Sequence, residues 1–515
     1  MLIPSIYGIT YSFLLTTLLL TTFTNTQPIS IRDDAPNPDI KAPDTQVAVA
    51  PEGIRLSHNG LIVNDPIENL YVYYDDTRYD PTTIQVSISE QNTKVNCQIA
   101  GTNRIDHVVL TKQSCQSNIF TLPAEGKRVA YTVKVTVKTK SATTETKDIP
   151  VELLNFPRVP WPIADPNGQW PPRNTDMIGN LMENYQEFGG PGYWHNGLDI
   201  RNDVTRLDPN HAGEVRSPVD GKVVKIVNYN QGNLYWSFMI QDTYGFVWQF
   251  HHVDSSTYRF RVGDNVRKGD IIGSVILWPE RWNGANYHHI HLNVAIPHPQ
   301  WTSIPKPYVD GWRYINPILL FNNGNYVDQN KPKSEGLLYI LPNGGSSTIG
   351  VSDGRNAPTV SGKIDVAIEL SDIFSSPNSV SGTPYPQSLF ELAYRIEPSS
   401  GTGNATYVPF VRFAQNPPAQ STRCSPNLTV SCQEQSLRTI YKERFSSNGN
   451  QKTTRFNYSS RRFYFTVTNV LRGEFSEDGA LDTTKFPNGK YRITVIAKNE
   501  WKQSLEVSGD IVIKN

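Results

Sequence analysis

Short segments in which apolar and polar residues alternate recur along most of this 515-residue chain. The clearest is segment 131–140, YTVKVTVKTK, where apolar side chains stand at every second position from the first tyrosine onward. Alternation with a period of two predicts a β-strand with one buried face. Segments 463–470 and 489–499 are further strand candidates, and we find neither a long amphipathic helix nor a short-period repeat. The pattern therefore predicts a mainly β protein.

The spacing of these segments divides the chain into three β-rich parts. At about 100–200 residues per domain, the length suggests roughly three domains. Residues 27–50 are rich in Pro, Asp and Asn and predict a linker, and a cluster of prolines in 157–172 marks a further boundary. We expect a β-sandwich at 51–155, a central domain at 156–330 and a C-terminal β-sandwich at 331–515.

The N-terminus has the composition of a secretory signal. Segment 13–20 is a short apolar stretch, small residues follow it, and no charge occurs before Arg32. The missing basic residues leave a second interpretation open, an uncleaved anchor over segment 3–23, which is nearly long enough to cross a bilayer. We favour a signal peptide at 1–26. This predicts a secreted, extracellular protein with no stable membrane span once the signal is removed.

The four cysteines fall in two local pairs, Cys97 with Cys115 and Cys424 with Cys432. An even number of cysteines in a secreted chain indicates disulfides. Four cysteines allow three connectivities. We favour the local pairing, because each pair lies within its own part of the chain.

The charge balance argues against one class of partner. The chain holds 48 basic and 48 acidic residues, so its formal net charge is zero. A nucleic-acid binder usually carries a basic excess or a basic stripe, and this sequence has neither. A hydrophobic content of 38% is also typical of packed cores rather than of a disordered chain.

Histidines are concentrated in the central part of the chain. Eight of the 10 lie between His195 and His298, and clusters of His and Asp at ligand spacing are the usual components of zinc sites. In the first motif, HNGLD, Asn196-Gly197 predicts a turn into a strand that carries Asp199 between two apolar residues. A carboxylate is costly to bury there unless it is paired or bound to a metal. Taken alone, the motif fits an exposed histidine beside a strand-edge aspartate better.

A second motif, NYHHIHLNV, places His288, His289 and His291 in one predicted strand. Successive side chains of a strand point to opposite faces, so His289 and His291 share one face, roughly 7 Å apart. His288 lies on the other face. One of the two histidines on the shared face could bind a metal while its neighbour faces a substrate.

A third motif, FHHV, leaves two alternatives open. Alternation along segment 246–253 groups His252 with the aromatic residues at 246, 248 and 250 and places His251 on the opposite face. The sequence alone does not show which of these faces belongs to a site. Two turn-rich segments lie nearby: VGDNVRKGDIIG at 262–273 predicts a tight β-hairpin, and SPVDGKVV at 217–224 predicts an earlier one.

The motifs HNGLD, SPVDGKV, FHHV, VGDNVRKGDIIG and HIH occur in the order and approximate spacing of the lysostaphin-type (LytM-type) zinc metallopeptidases. The resemblance covers residues 185–325. Each motif is weak alone, but the ordered set is highly specific. It implies that the central part is a lysostaphin-like antiparallel β-sheet peptidase domain, flanked by the two β-sandwich domains.

The resemblance also implies a set of site residues. In that family the histidine and aspartate of HxxxD and the second histidine of HxH bind zinc, and these positions match His195, Asp199 and His291. The two catalytic histidines match His252 and His289, so the resemblance selects His252 over His251. The implied cofactor is one Zn²⁺ with an open position for water, as in catalytic sites. The implied substrate is a peptide bond of bacterial peptidoglycan, hydrolysed by a zinc-activated water.

The sequence departs from the family at two positions. Phe250 stands where many members have tyrosine, and His288 stands where members often have a small residue or proline. Some members also use a tyrosine upstream of HxxxD to stabilise the transition state. Tyr185 and Tyr193 are the candidates for that role.

Three other interpretations compete with an enzyme. A catalytically inactive cell-wall-binding protein would keep the fold, but degenerate members usually lose ligands, and all five polar positions are present here. A lipoyl-like carrier would share the turns of 262–273, but it needs a lysine at a turn beside methionine and leaves the histidines unexplained. An adhesive sandwich protein would fit the flanking parts, but this interpretation leaves the histidine cluster as a coincidence. The motifs therefore predict a secreted zinc metalloendopeptidase.

Overall fold

The computed structural model describes most of the chain beyond its N-terminal segment. The described residues are 53–58, 60–99, 107–164, 169–172, 181–183, 195, 197–201, 213–228, 232–278, 281–282, 285–286, 288–296, 313–322, 330–345, 347–372, 389–401, 405–414, 440–442, 444–446, 451–453, 463–469 and 479–515. The predicted signal peptide, the predicted linker and the Cys424–Cys432 pair lie outside these ranges. Among the helices within them, none combines the length and the hydropathy that a membrane crossing needs.

The N-terminal part consists of two β-sheets that pack face to face. Its elements are β1 (Ile54–Leu56), β2 (Gly60–Val63), β3 (Asn69–Tyr74), β4 (Tyr79–Glu90), β5 (Thr93–Asn96), β6 (His107–Thr111), the short helix α1 (Lys112–Cys115), a 3-10 turn (Asn118–Phe120), β7 (Arg128–Thr139) and β8 (Thr144–Leu154). One sheet has the order β1-β3-β6 and the other β2-β8-β7-β4-β5. Apolar side chains of both sheets share one buried core. The predicted strand at 131–140 falls largely within β7, and its alternate apolar side chains are buried. The predicted Cys97–Cys115 disulfide is also confirmed.

The central part is built on an antiparallel sheet. Its strands are β9 (Leu181–Glu183), β10 (Leu198–Arg201), β11 (Glu214–Arg216), β12 (Gly221–Asn228), β13 (Trp236–Asp242), β14 (Val247–His251), β15 (Asn265–Val266), β16 (Ile271–Ser274), β17 (Arg281–Trp282), β18 (Ala285–Asn286), β19 (His289–Ile296) and β20 (Arg313–Ile315), with 3-10 turns at Ser255–Thr257 and Pro317–Leu319. Eight of these strands form a sheet of order β15-β12-β13-β14-β19-β10-β9, with β20 also on β19. The motif strands β10, β14 and β19 are therefore adjacent in the middle of the sheet.

The two hairpins predicted at 262–273 and 217–224 are wrong. β15 does not pair with β16; it pairs with β12, and β16 pairs with β11. The two turn segments lie against each other instead, because Ser217 N donates to the Asp270 carbonyl at 2.9 Å and Gly269 N donates to the Ser217 carbonyl at 2.8 Å. The turns were identified correctly from the sequence, but their strands pair over a long range rather than locally.

The C-terminal part again contains two larger sheets. Its strands are β21 (Leu338–Pro342), β22 (Gly350–Ser352), β23 (Thr359–Val360), β24 (Lys363–Leu370), β25 (Glu391–Pro398), β26 (Thr406–Arg412), β27 (Arg444–Ser446), β28 (Gln451–Thr453), β29 (Phe463–Thr466), β30 (Leu481–Asp482), β31 (Gly489–Lys498) and β32 (Ser504–Ile513), with a 3-10 turn at Thr483–Lys485. The orders are β22-β21-β24-β29, with β30 on β24, and β23-β32-β31-β25-β26. The strand predicted at 489–499 is confirmed as β31, and the one predicted at 463–470 is shorter. The mainly β fold class is confirmed, while the domain boundaries at 155 and 330 stay predictions.

Buried polar contacts join the N-terminal sheets to the C-terminal part. Arg412 Nε donates to Asp65 at 2.8 Å, and the same guanidinium also bonds Glu391. His107 Nε2 lies 3.1 Å from the Tyr407 carbonyl oxygen, and the Tyr71 and Tyr407 rings stack with centroids 6.2 Å apart. The N-terminal sandwich is thus fixed against the C-terminal sheets by ionic and aromatic contacts.

Candidate metal centre

The sheet register places the first predicted ligands opposite each other. β10 and β19 are antiparallel neighbours, and Asp199 is the direct cross-strand partner of His291. Cross-strand partners point to the same face, with Cβ atoms about 4.5–5.5 Å apart. The opposite face of these two strands carries apolar residues, which are fully buried in the core: Leu198, Ile200, Ile290 and Leu292. One face of the sheet is therefore core, and the other holds the polar site.

Three ligand atoms converge on this polar face. His195 Nε2 lies 2.9 Å from His291 Nδ1 and 3.0 Å from Asp199 Oδ1. His291 Nδ1 lies 2.8 Å from the same Asp199 oxygen. The structure therefore brings together all three residues that the motifs predicted as ligands, and they could hold a metal ion.

The spacing of these atoms fits a cation better than a set of hydrogen bonds. A proton on either imidazole nitrogen can be directed to only one neighbour, so at most two of the three contacts are hydrogen bonds. A positive ion bound by all three atoms satisfies every lone pair at once. Tetrahedral zinc with bonds of about 2.0–2.1 Å keeps its ligand atoms roughly 3.3 Å apart, within about half an ångström of this triangle.

A close backbone approach positions His195 above the sheet. His195 precedes β10, and its side chain is 1% exposed. Gly197 lies between it and the strand, where an added Cβ atom would come within 2.3 Å of the Leu292 carbonyl oxygen. Only glycine allows the chain to pass so close to β19. The Gly of HNGLD therefore serves the geometry of the site as well as the predicted turn.

The electrostatics of the centre favour an ionised carboxylate. Burial by itself would raise the pKa of Asp199. The nearby imidazoles of His195 and His289, together with hydrogen bonds from His195 and His291, outweigh burial and hold that pKa well below its usual range. Asp199 is thus an anionic candidate ligand in a cluster with almost no solvent exposure.

The two predicted catalytic histidines lie next to the triangle. The rings of His252 and His289 have centroids 4.8 Å apart, and His289 Nε2 is 3.8 Å from Asp199 Oδ2. The ring centroids of His252 and His291 are 6.5 Å apart. Both catalytic candidates are at most 2% exposed. All five predicted site residues therefore form one buried cluster.

The grouping of His252 with the aromatic face is wrong. β14 ends at His251, and His252 adopts a left-handed conformation with φ of 62°. Non-glycine residues rarely adopt this conformation. It turns the His252 ring away from Phe250 and towards His289, while His252 Nδ1 contacts the Leu234 carbonyl oxygen at 2.7 Å. The structure therefore places the histidine that the resemblance selected beside His289, a position that strand alternation did not predict.

His251 is a functional candidate that the sequence reasoning passed over. It is the cross-strand partner of His291, and their ring centroids lie 5.2 Å apart. Burial, together with His291 and His252, holds the pKa of His251 well below its usual range. The alternation of residues did not show whether His251 lies on the face of the site, and the structure places it on that face.

The two departures from the family have different surroundings. Phe250 is fully buried in the apolar core, so it faces away from the ligand atoms. His288 precedes β19, and its Nδ1 accepts a hydrogen bond from Trp278 N at 2.9 Å. The Trp278 ring in turn lies 4.8 Å from the His252 ring. His288 thus fixes a tryptophan against a candidate catalytic residue, whereas Tyr185 and Tyr193 lie outside the described residues.

Comparison with known proteins gives local similarity. No family model matches the chain. Among curated proteins the chain is similar to Endolysin 2638A of Staphylococcus phage 2638A, with 36% identity over 117 residues. This match covers 22% of the chain and 20% of the endolysin, so the chain spans about a fifth of the length of that relative.

Solved structures similar to the chain include three bacterial proteins. A lytM protein from Ruminococcus gnavus has 23% identity over 22% of this chain and 44% of its own, with a TM-score of 0.16. The catalytic domain of the M23 protein EnpA from Enterococcus faecalis has 19% identity over 23% and 82%, with a TM-score of 0.18. A zinc containing peptidase from Vibrio cholerae has 15% identity over 44% and 75%, with a TM-score of 0.18. The resemblance to LytM-type proteins predicted from the motifs is confirmed.

Proposed function

We propose that this chain is a secreted zinc metalloendopeptidase that hydrolyses peptide bonds in bacterial peptidoglycan. The observation that carries the proposal is the convergence of His195 Nε2, Asp199 Oδ1 and His291 Nδ1 within 3.0 Å of one another. Two histidines and one carboxylate are a catalytic ligand set, because they leave a tetrahedral ion one position for water. A zinc ion bound there would polarise the scissile carbonyl and lower the pKa of a water molecule to about 7.

His252 is suited to accept the proton of the attacking water. Its Nδ1 lies 2.7 Å from the Leu234 carbonyl oxygen, which can only accept a hydrogen bond. The ring proton is therefore assigned to Nδ1, and Nε2 carries the lone pair of a general base. The left-handed backbone at residue 252 holds that nitrogen on the site side of the sheet.

His289 is suited to stabilise the oxyanion. Its Nε2 lies 3.8 Å from Asp199 Oδ2, on the same face as the ligand triangle. A proton on this nitrogen is attracted to the nearby carboxylate and can be donated to the developing charge on the substrate oxygen. Both histidines are at most 2% exposed, so bulk solvent screens these interactions only weakly.

The cell-wall substrate is supported by the ordered motifs and by the similarity to a phage endolysin. The alternative is a protein that keeps the fold and the ligands and binds the wall without cleaving it. The two differ in turnover, because both would keep the three candidate ligands, His252 and His289 in the same arrangement. Turnover therefore has to be measured directly.

The test is zinc analysis of the secreted protein, combined with mass spectrometry of peptidoglycan digested by it. We expect one zinc per chain and released peptides. His291→Ala should lose zinc and activity, whereas His289→Ala should keep zinc and lose activity. A matched control is His107→Gln, a buried histidine of the N-terminal sheets, which should keep both.

Each possible outcome decides one part of the proposal. A wild-type protein that purifies without zinc and binds none on addition contradicts the metal assignment. Full turnover by His289→Ala refutes the oxyanion role of His289. A zinc-loaded wild-type protein that binds peptidoglycan but releases no peptide establishes the non-catalytic alternative.

A further inference from the structure

His291 lies between two polar neighbours on the same face of the sheet. β19 is flanked by β10 on one side and β14 on the other. Its direct partner on β10 is Asp199, and its direct partner on β14 is His251. Asp199 therefore lies on the side of His291 that faces the proposed metal, and His251 lies on the opposite side.

We propose that His251 is a positioning residue of the metal centre. It holds the ring of His291 so that Nδ1, the nitrogen nearer the backbone, is directed at the ligand triangle. This inference rests on the proposed metal site and assigns a role to a residue outside the five predicted from the motifs.

The orientation of His291 needs such support. An imidazole can bind a metal through either nitrogen, and the choice is set by what holds the ring. The His195 ring lies 4.6 Å from the His291 ring at an interplanar angle of 78°, and the His251 ring lies 5.2 Å from it at 68°. The two rings pack on His291 edge to face and limit its rotation. Without the His251 ring, the side facing β14 is open to a turn of the imidazole.

His251 is itself fixed by polar partners. Its Nδ1 lies 3.1 Å from Ser237 Oγ, the side chain of its cross-strand partner on β13. Its Nε2 lies 3.5 Å from Asn293 Nδ2, which can only donate. The proton is therefore assigned to Nδ1, which donates to the serine hydroxyl, and Nε2 is the acceptor. A row of Ser237, His251, His291 and Asp199 thus runs across four strands.

This row is unlike ordinary core packing. His251 is 4% exposed, and Ser237 and Asn293 are fully buried. Burying such groups is costly unless they are hydrogen bonded, and the other face of the same strands is filled with apolar residues instead. Outer groups that hydrogen-bond a ligand histidine typically change metal affinity by about 10–100-fold when they are replaced, and we take this as the scale for His251, which packs against the ring of His291.

The test is a comparison of metal binding in three single variants, His251→Ala, Ser237→Ala and His107→Ala. Zinc affinity is measured by competition with a chromophoric chelator, and the coordination by the visible absorption spectrum of the Co²⁺-loaded protein. His251→Ala should bind zinc about 10–100-fold more weakly, with an altered Co²⁺ spectrum. Ser237→Ala should show a smaller change in the same direction. His107 is a buried histidine of the N-terminal sheets, distant in sequence from the metal centre. His107→Ala should therefore match the wild type in both measurements.

The outcomes separate this inference from the proposed function. If the wild-type protein binds neither zinc nor Co²⁺, the proposed function fails and the inference fails with it. If the wild type binds both ions and His251→Ala binds them with unchanged affinity and spectrum, the inference alone is overturned. An equal loss in His107→Ala also overturns it, because the effect is then general destabilisation. Should His251→Ala not fold, Ser237→Ala decides, since it removes a single hydroxyl group: an unchanged affinity and spectrum overturns the inference.

Discussion

Acidification should weaken the attachment of the N-terminal sheets to the C-terminal part, because that contact buries a neutral histidine. His107 is fully buried, and its Nε2 lies 3.1 Å from the Tyr407 carbonyl oxygen. The rings of Tyr71 and Tyr73 lie 5.7 and 5.8 Å from it. Burial lowers the pKa of His107 from 6.5 to about 4, and the hydrogen bond to the Tyr407 carbonyl offsets only part of this effect.

The sign and the size follow from these two pKa values. The unfolded chain protonates His107 near pH 6.5, whereas the folded chain does so only near pH 4. Between these values the unfolded state binds more protons, so the free energy of unfolding decreases as the pH falls. At 1.36 kcal/mol per pKa unit, the difference between 6.5 and about 4 corresponds to about 3 kcal/mol. This stability is fully present above pH 6.5 and is lost by about pH 4.

The assay is urea unfolding at pH 7.5 and at pH 4, followed by circular dichroism, for the wild type and for His107→Gln. The wild type should lose about 3 kcal/mol more on acidification than the variant, which has no imidazole at this position. His58, whose pKa is also lowered to about 4, contributes to both proteins and cancels in the difference. If the two proteins lose the same stability between these pH values, His107 does not become charged at a cost, and the reasoning is refuted.

Two further predictions concern the geometry of the site and the attachment of the N-terminal sheets. Gly197→Ala should weaken zinc binding roughly tenfold or more in a chelator titration. The new Cβ atom would meet the Leu292 carbonyl oxygen at 2.3 Å and would separate β10 from β19. An unchanged affinity would contradict this close approach. Arg412→Met should cost about 3–5 kcal/mol in urea unfolding, because it leaves the buried carboxylate of Asp65 without its partner. The matched control Lys485→Met breaks an exposed ion pair and should cost under about 1 kcal/mol; equal costs would show that the Arg412 contact is no stronger than a surface pair.

Alternation along the chain predicted the residues that regular strands hold. His289 and His291 were expected on one face, and β19 places them there. His252 could not be predicted in this way, because alternation assumes that a strand continues, whereas β14 ends one residue earlier and φ is 62° at His252. Its position became predictable only through the ordered family motifs.

Strand pairing was the part of the fold that local patterns did not determine. The turns at 262–273 and 217–224 were visible in the sequence, but a turn shows only where the chain reverses. β15 and β16 pair with β12 and β11, which lie tens of residues earlier in the chain. The role of His251 was hidden for the same reason, since its neighbours Ser237 and His291 come from other strands.

β19 has one polar face and one apolar face, and this difference disfavours any other register of the strand. Sliding this strand by one position would put Ile290 and Leu292 among the polar groups and send His289 and His291 into the hydrocarbon interior. Such a misaligned strand would lose apolar burial on one face and would bury imidazoles without polar partners on the other, against both neighbouring strands. The apolar face of β19 therefore fixes the register of this strand during folding, and only the correct register brings the candidate ligands together.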